Sequence, residues 1–412
     1  MNKKPVTAII VGAGHRSMIY ASLADKAPQD LRIVGVADPN PHRRRMVMEK
    51  YGFSEDMCFT SAAELASKEK LADAIINGTM DNQHVETSIP LLERGYDVLL
   101  EKPFALNEED ALRLAACAKK NNRKVMICHV LRYAPFYYGI KERVARGDIG
   151  EIVNIQQVEH VSYHHMSVGY VRGKWANSKE CQSSMLLSKS CHDMDILNFL
   201  VGRKCLQISS FGSLKFFKKA NQPAGAADRC MECKFADECT YSAKTFYFNR
   251  LRSGAHHWPL DVITNDMTEA GVTAALKNGP YGRCVFACDN DVVDNQVLNF
   301  LYEDGITGTM TMTAFSNEVC RQSEFRGTLG EITGDGHSIK VTRFGEAEST
   351  IYDVNAAGQS LAGGHGGGDN GLMNDFVRAV AENDQSLLGA TPDEMLAGHF
   401  MAFEAEKSRT AR

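Results

Sequence analysis

At 412 residues, 44% apolar and 24% charged, the chain is long enough for two domains with large cores and has the composition of an ordinary globular protein. A formal net charge of −5 gives no reason to expect nucleic acid or an acidic membrane as a partner. No apolar run approaches a membrane span, and Met1-Asn-Lys-Lys-Pro5 lacks the apolar core of a secretory signal, so the expected compartment is the cytoplasm.

The first predicted strand, Thr7–Val11, runs without a polar break into Gly12-Ala13-Gly14, and a helix follows over Ser17–Lys26. A strand, a glycine turn and a helix make an anion site. Gly12 permits the tight turn, and Gly14 permits a pyrophosphate to approach free backbone N–H groups beside His15, Arg16 and Ser17. Ser17 stands where the usual third glycine would be. The second strand, Leu31–Ala37, ends at Asp38, about 20 residues beyond the glycines, where a carboxylate grips the adenosine ribose. Arg43, in the basic run Arg43-Arg-Arg45, offers a counter-charge should the ribose carry a phosphate, so NAD is expected and NADP is possible.

Further strands are expected at Ala72–Ile76, Asp97–Leu100 and Lys124–Ile127, alternating with helices at Pro41–Tyr51, Asn82–Arg94 and Asn107–Lys120. This alternation means a doubly wound parallel sheet of the Rossmann type over residues 1–131. After Tyr133 long amphipathic strands follow, at Glu151–Tyr163, Gln207–Phe217, Cys284–Cys288, Val292–Leu301, Gly305–Phe315, Glu324–Thr328 and Ser338–Thr342. They predict an α+β domain over 132–412 with a large, mostly antiparallel open sheet. A helix near Ser183–Leu200 interrupts them. Gly363-Gly-His-Gly-Gly-Gly368 reads as a loop, and helices near Leu372–Ala381 and Pro392–Ser408 close the chain.

The glycine turn, Asp38, the turn from Thr79 to His84, and Glu101-Lys102-Pro103 together resemble the glucose-fructose oxidoreductase, inositol dehydrogenase and rhizopine-catabolism group, Gfo/Idh/MocA. The β-rich second half also fits that group. The resemblance implies that Thr79, His84 and Glu101 line the cofactor crevice, and that Lys102 lies near the nicotinamide and the reacting carbon. The group's second motif is a carboxylate four residues before a histidine. In Leu187-Ser-Lys-Ser-Cys-His-Asp-Met-Asp195, His192 takes the histidine position, but Ser188 replaces the carboxylate. Lys189, three residues before His192, shares its helical face and supplies a second positive charge. Alcohol oxidation needs a base and a stabiliser of alkoxide charge, and Lys102 and His192 together supply both.

Arg132 and Tyr133 at the domain crossing, Tyr163 and His165 at the end of a long strand, and Asp289 and Asp294 near another are expected to line the substrate pocket. Cys230, Cys233 and Cys239 form C-x2-C-x5-C within an insertion near 221–260, a spacing suited to structural zinc or an iron–sulfur cluster, with no fourth ligand at motif distance. Free thiols or a local disulfide fit the same letters.

The sequence thus points to an NAD-dependent oxidoreductase acting on a secondary alcohol of a sugar, cyclitol or sugar derivative. Two other readings are an NAD-retaining glycoside hydrolase that recycles its cofactor, and a non-catalytic NAD-binding sensor. The open sheet predicts a homodimer or homotetramer.

Overall fold

The structure, a computed structural model, describes residues 4–354, 367–390 and 392–411. Among these residues the first sheet comprises β1 (Val6–Val11), β2 (Leu31–Ala37), β3 (Cys58–Phe59), β4 (Ala74–Asn77), β5 (Asp97–Leu100) and β6 (Val125–Ile127). The strands are parallel and ordered β3-β2-β1-β4-β5-β6, so the chain order reverses beside β1. That switch point opens a crevice at the carboxyl ends of the strands. All four residues of β4 and of β5 are buried, as expected of strands covered on both faces.

The second sheet comprises β7 (Ile152–His160), β8 (Cys205–Ser213), β9 (Asn295–Tyr302), β10 (Thr307–Thr313), β11 (Cys320–Gly327), β12 (Gly330–Gly334), β13 (Ser338–Arg343) and β14 (Thr350–Asp353). Its order is β14-β13-β12-β11-β7-β10-β9-β8, and among the described residues only its β7–β10 pair is parallel. The helix Met185–Val201 lies against this sheet. Ser184 caps its first turn, its hydroxyl accepting from Leu187 N–H, and Gly202 ends it with φ of +65°.

Several elements differ from the sequence expectation. Cys284–Cys288 forms turns instead of a strand, with Arg283 making an isolated bridge to Arg229. β12 and β14 are short strands that alternation did not reveal. Helices Pro135–Ala145, Ala243–Arg252 and Glu269–Asn278 also stand where no helix was expected. The last two, through Ala243, Tyr247, Val272 and Leu276, pack with Cys230, Leu260 and Val168 into a small third core. The glycine-rich loop reading falls, over 363–366, outside the described residues. The helix Gly368–Glu382 returns to the first sheet, where Leu372, Met373 and Phe376 join its core.

Candidate active site

The glycine turn is shaped by two close approaches. Gly12 has φ of +77°, and a Cβ there would stand 2.8 Å from Thr79 N. The Ser17 hydroxyl donates to the Gly12 carbonyl at 2.7 Å, and a Cβ on Gly78 would fall 2.2 Å from that hydroxyl. Helix and strand therefore approach closely at Gly78, which makes a third glycine at position 17 unnecessary. Above Gly14 the situation reverses, since the nearest atom to an added Cβ is the Gly78 carbonyl at 3.9 Å. Gly14 caps the helix His15–Ala21 with no side chain in the way.

Asp38 is buried at the end of β2. Its carboxylate accepts from Ala13 N–H and Asn40 N–H, each at 2.8 Å, and Arg43 stands 3.8 Å away. His15 faces the insertion: burial lowers its pKa, while Asp261 opposes and Arg16 adds to that shift. Arg16 points inward. Its Nε donates to Glu101 at 2.8 Å, and its other nitrogens reach Tyr20 and Asp369. The guanidinium is thus committed to a network of buried partners. Burial alone would raise the Glu101 pKa, but the charges of Arg16 and Lys102 and the Tyr20 hydrogen bond outweigh it and bring it to about 2.

Glu101 in turn accepts from Lys102 N–H at 2.8 Å, fixing the backbone that carries the lysine. Two imidazoles hold the next residues. His84 Nδ1 donates to the Pro103 carbonyl at 2.6 Å, with Nε2 3.2 Å from the Thr79 carbonyl, while Thr79 hydrogen-bonds Asn77. His399 Nε2 accepts from Phe104 N–H at 2.8 Å, which requires that nitrogen to be unprotonated. Burial, reinforced by His129, keeps the His399 pKa well below the ordinary range. Lys102 so held reaches across to the second sheet's helix, where its Nζ donates to the Ser188 carbonyl at 2.7 Å.

On that helix the Ser188 hydroxyl is spent on the Ser184 carbonyl, 2.8 Å away. His192, 5% exposed, lies one turn further, its ring 6.4 Å from that of His129. Lys189 Nζ sits 3.2 Å from Glu159 on β7. Burial lowers the Lys189 pKa, with Arg321 and Lys102 adding to the shift and Glu159 opposing it. His165 is close enough to feel both lysines, and burial together with those charges keeps it neutral. Its ring stacks on Tyr170 and meets Trp258 of the insertion at 4.9 Å. Tyr163 lies nearby, edge-on to His164.

Arg132, Tyr133, Asp289 and Asp294, the remaining pocket expectations, each meet protein partners. Arg132 makes a bidentate pair with buried Asp195, at 2.8 and 2.6 Å, tying the domain crossing to the helix. The Tyr133 hydroxyl donates to the Leu388 carbonyl at 2.9 Å. Asp289 is a surface partner of Arg283, and buried Asp294 accepts from the backbone N–H groups of Lys215, Phe216 and Phe217. The metal expectation is corrected as well. Among the described residues no group of three or more His, Cys, Asp or Glu is placed to hold a metal ion. Cys230 is a buried thiol whose sulfur accepts from Ala243 N–H at 3.4 Å and from Arg172 at 3.6 Å, while Cys233 and Cys239 are free and half-buried.

An oxidoreductase family signature for an NAD-binding Rossmann fold matches residues 6–129, and the corresponding C-terminal alpha/beta signature matches 141–394. The chain belongs to the Gfo/Idh/MocA oxidoreductase family. YteT of Bacillus subtilis, which carries the name of an oxidoreductase, is 24% identical over 380 residues, covering 87% of this chain and 85% of its own. The scyllo-inositol 2-dehydrogenase (NAD(+)) of the same organism is 23% identical over 51% of this chain and 58% of its own. The WlbA dehydrogenase from Bordetella pertussis, solved with NADH and UDP-GlcNAcA, superposes with a TM-score of 0.70 at 14% identity, covering 99% of this chain and 96% of its own. That likeness is one of fold.

As a Gfo/Idh/MocA protein the chain is an NAD-binding oxidoreductase, and its residues fit the dinucleotide. The space above Gly14 is what a side chain would fill, and Asp38 retains lone pairs for ribose hydroxyls. Sequence reasoning missed Glu159 and Arg321. Arg321 Nε lies 2.7 Å from Glu159 and 2.8 Å from Asp193. The available signal was strand periodicity, since Ile155, Gln157 and Glu159 share one buried face of β7.

Proposed function

We propose that this Gfo/Idh/MocA protein is an NAD-dependent dehydrogenase acting on a secondary alcohol of a sugar, cyclitol or sugar derivative, with Lys102 and His192 as acid–base residues. The observation that carries the reading is the 2.7 Å contact from Lys102, at the rim of the cofactor crevice, to Ser188, one turn before His192. When bound, the dinucleotide takes up the hydride. Lys102 donates to the reacting oxygen and stabilises the charge that develops there. The imidazole of His192 suits exchange of the alcohol's proton. The name of the inositol dehydrogenase relative and the sugar nucleotide bound to WlbA support this substrate class.

Asp38 would repel a ribose 2′-phosphate, which favours NAD, and Arg43 leaves NADP within reach. The reading assigns the dinucleotide to residues 1–131 and the alcohol to 132–412, in the cytoplasm. The exposed cross-strand pair Phe211 and Val297, 47% and 44% exposed, lies on the open sheet face assigned to the homodimer or homotetramer contact.

The test is absorbance at the NADH wavelength across sugars, cyclitols and aryl glycosides supplied with NAD. NADH growth abolished by Lys102→Ala is expected. Aglycone release without net NADH would replace the reading by the cofactor-recycling glycosidase, which Ser188 in place of a carboxylate favours. Turnover unchanged in Lys102→Ala would remove the lysine from the chemistry.

A further inference from the structure

We propose that Lys189 and Glu159 form the proton-accepting pair of this site, Lys189 as the catalytic base and Glu159, clamped by Arg321, as its positioning residue. This rests on the dehydrogenase reading above and assigns the alcohol's proton to Lys189 in place of His192. The carboxylate absent from position 188 of the helix is supplied from the sheet instead. Glu159 on β7 is fully buried, with one oxygen 3.2 Å from Lys189 Nζ and the other 2.7 Å from Arg321 Nε. Arg321 lies directly opposite Glu159 on β11, so the sheet register itself sets the clamp. The guanidinium also grips Asp193 at 2.8 and 3.1 Å. Asp193 accepts from Gln157 at 3.1 Å, and Gln157 accepts from Ser323 at 2.6 Å, Gln157 and Ser323 being the next opposed pair on that face.

Burying four charges is expensive, and apolar residues of similar volume would hold helix to sheet at least as well. The cluster also stands beside the reaction site. Lys189 is the neighbour of Ser188, whose carbonyl anchors Lys102, and His165 is influenced by both lysines. The charged groups facing Lys189 are Glu159 from β7, Arg321 from β11 and Lys102 from the loop after β5. Glu159 faces Lys189, Arg321 and Asp193, and its charge is felt by Tyr137, Tyr170 and Cys320.

Burial lowers the lysine, and it raises the carboxyl against Arg321 and Lys189. Both shifts ease loss of the Lys189 proton, in a site where a proton must be taken. In the forward step the substrate O–H bond breaks and its proton passes to the amine form of Lys189. The O–H electron pair becomes the second bond of the new carbonyl, and the carbon's hydride leaves to the oxidised dinucleotide. Glu159 then balances the ammonium formed, while Lys102 steadies the substrate oxygen.

The test is the pH profile of NADH formation by the full chain, using a polyol that the wild type oxidises. Lys189→Arg keeps the ion pair with Glu159 but cannot release its proton. It is expected to lose about 100-fold or more in kcat at every pH, with Tm and NADH binding retained. Glu159→Gln removes the charge that holds the ammonium, so the acid limb of kcat should move to lower pH by a unit or more. Activity retained in Lys189→Arg, or a Glu159→Gln profile that overlies the wild type, overturns the pair but leaves the dehydrogenase standing. If Glu159→Gln fails to fold, Lys189→Arg decides alone. A wild type that oxidises no polyol removes the dehydrogenase reading and the pair together.

Discussion

The Lys102 ammonium donates to the backbone carbonyl of Ser188 at 2.7 Å, joining the edge of the cofactor crevice to a helix of the second sheet 86 residues later in the chain. A peptide carbonyl is a neutral acceptor, so this contact itself cancels none of the lysine's charge at the place where an alkoxide would develop. Lys102→Met, which keeps an unbranched stem but removes the ammonium, should therefore lower kcat for alcohol oxidation by about 10²–10⁴-fold. NADH binding should be retained, since the glycine turn and Asp38 are untouched. Steady-state kinetics with fluorescence titration of NADH checks both, and a loss confined to cofactor affinity would contradict the assignment.

Glu101 makes the site's support sensitive to acid. Its folded pKa of about 2 lies below the ordinary value of 4.5 because Arg16, Lys102 and Tyr20 together outweigh the cost of burial. A carboxylate with a depressed folded pKa stabilises the protein above its unfolded pKa, and that contribution is lost as pH falls toward the folded one. The wild type should lose about 3 kcal/mol of this stabilisation between about pH 4.5 and 2. Urea unfolding as a function of pH should show this decline in the wild type and a shallower one in Glu101→Gln. Equal slopes would mean that other carboxylates carry the acid sensitivity.

How much of this was legible in the sequence follows the range of each interaction. β1, β2 and β5 announce themselves as apolar runs, and the Glu101-Lys102-Pro103 and Ser188–Asp195 motifs are each contiguous in the chain. Arg132 and Asp294 carry the letters of a binding site, yet they are spent on Asp195 and on backbone N–H groups, partners 63 and 77 to 79 positions distant. Arg321 meets Glu159 only through the β7–β11 register, which local periodicity does not specify. The helices Ala243–Arg252 and Glu269–Asn278 were hidden by a third small core that forms only when the insertion folds upon itself.

His399 holds the loop after Lys102 from a helix near the end of the chain. Its Nε2 is the acceptor for a buried Phe104 N–H. His399→Ala would strand that donor away from water, at a cost of about 1–3 kcal/mol. His399→Gln offers an acceptor oxygen and should recover part of the loss. The two variants are compared by chemical denaturation, and identical midpoints would show that the imidazole acts by volume alone.

Gly12 and Gly14 differ in what surrounds them, and so should their alanine variants. At Gly12 a methyl group meets backbone atoms of Gly78 and Thr79 within 2.9 Å, on a residue whose φ of +77° already disfavours a side chain. Backbone cannot swing aside as a side chain can, so Gly12→Ala should lower Tm of the apoprotein and weaken NADH binding together. At Gly14 the nearest protein atom is 3.9 Å from the added carbon, an ordinary contact, and φ of −80° suits alanine. Gly14→Ala should keep the Tm of the apoprotein and lose NADH affinity, because the methyl occupies the approach of the pyrophosphate to the helix N-terminus. Thermal unfolding without ligand, paired with NADH titration, separates the two effects. Undiminished NADH affinity in Gly14→Ala would place the pyrophosphate away from this turn.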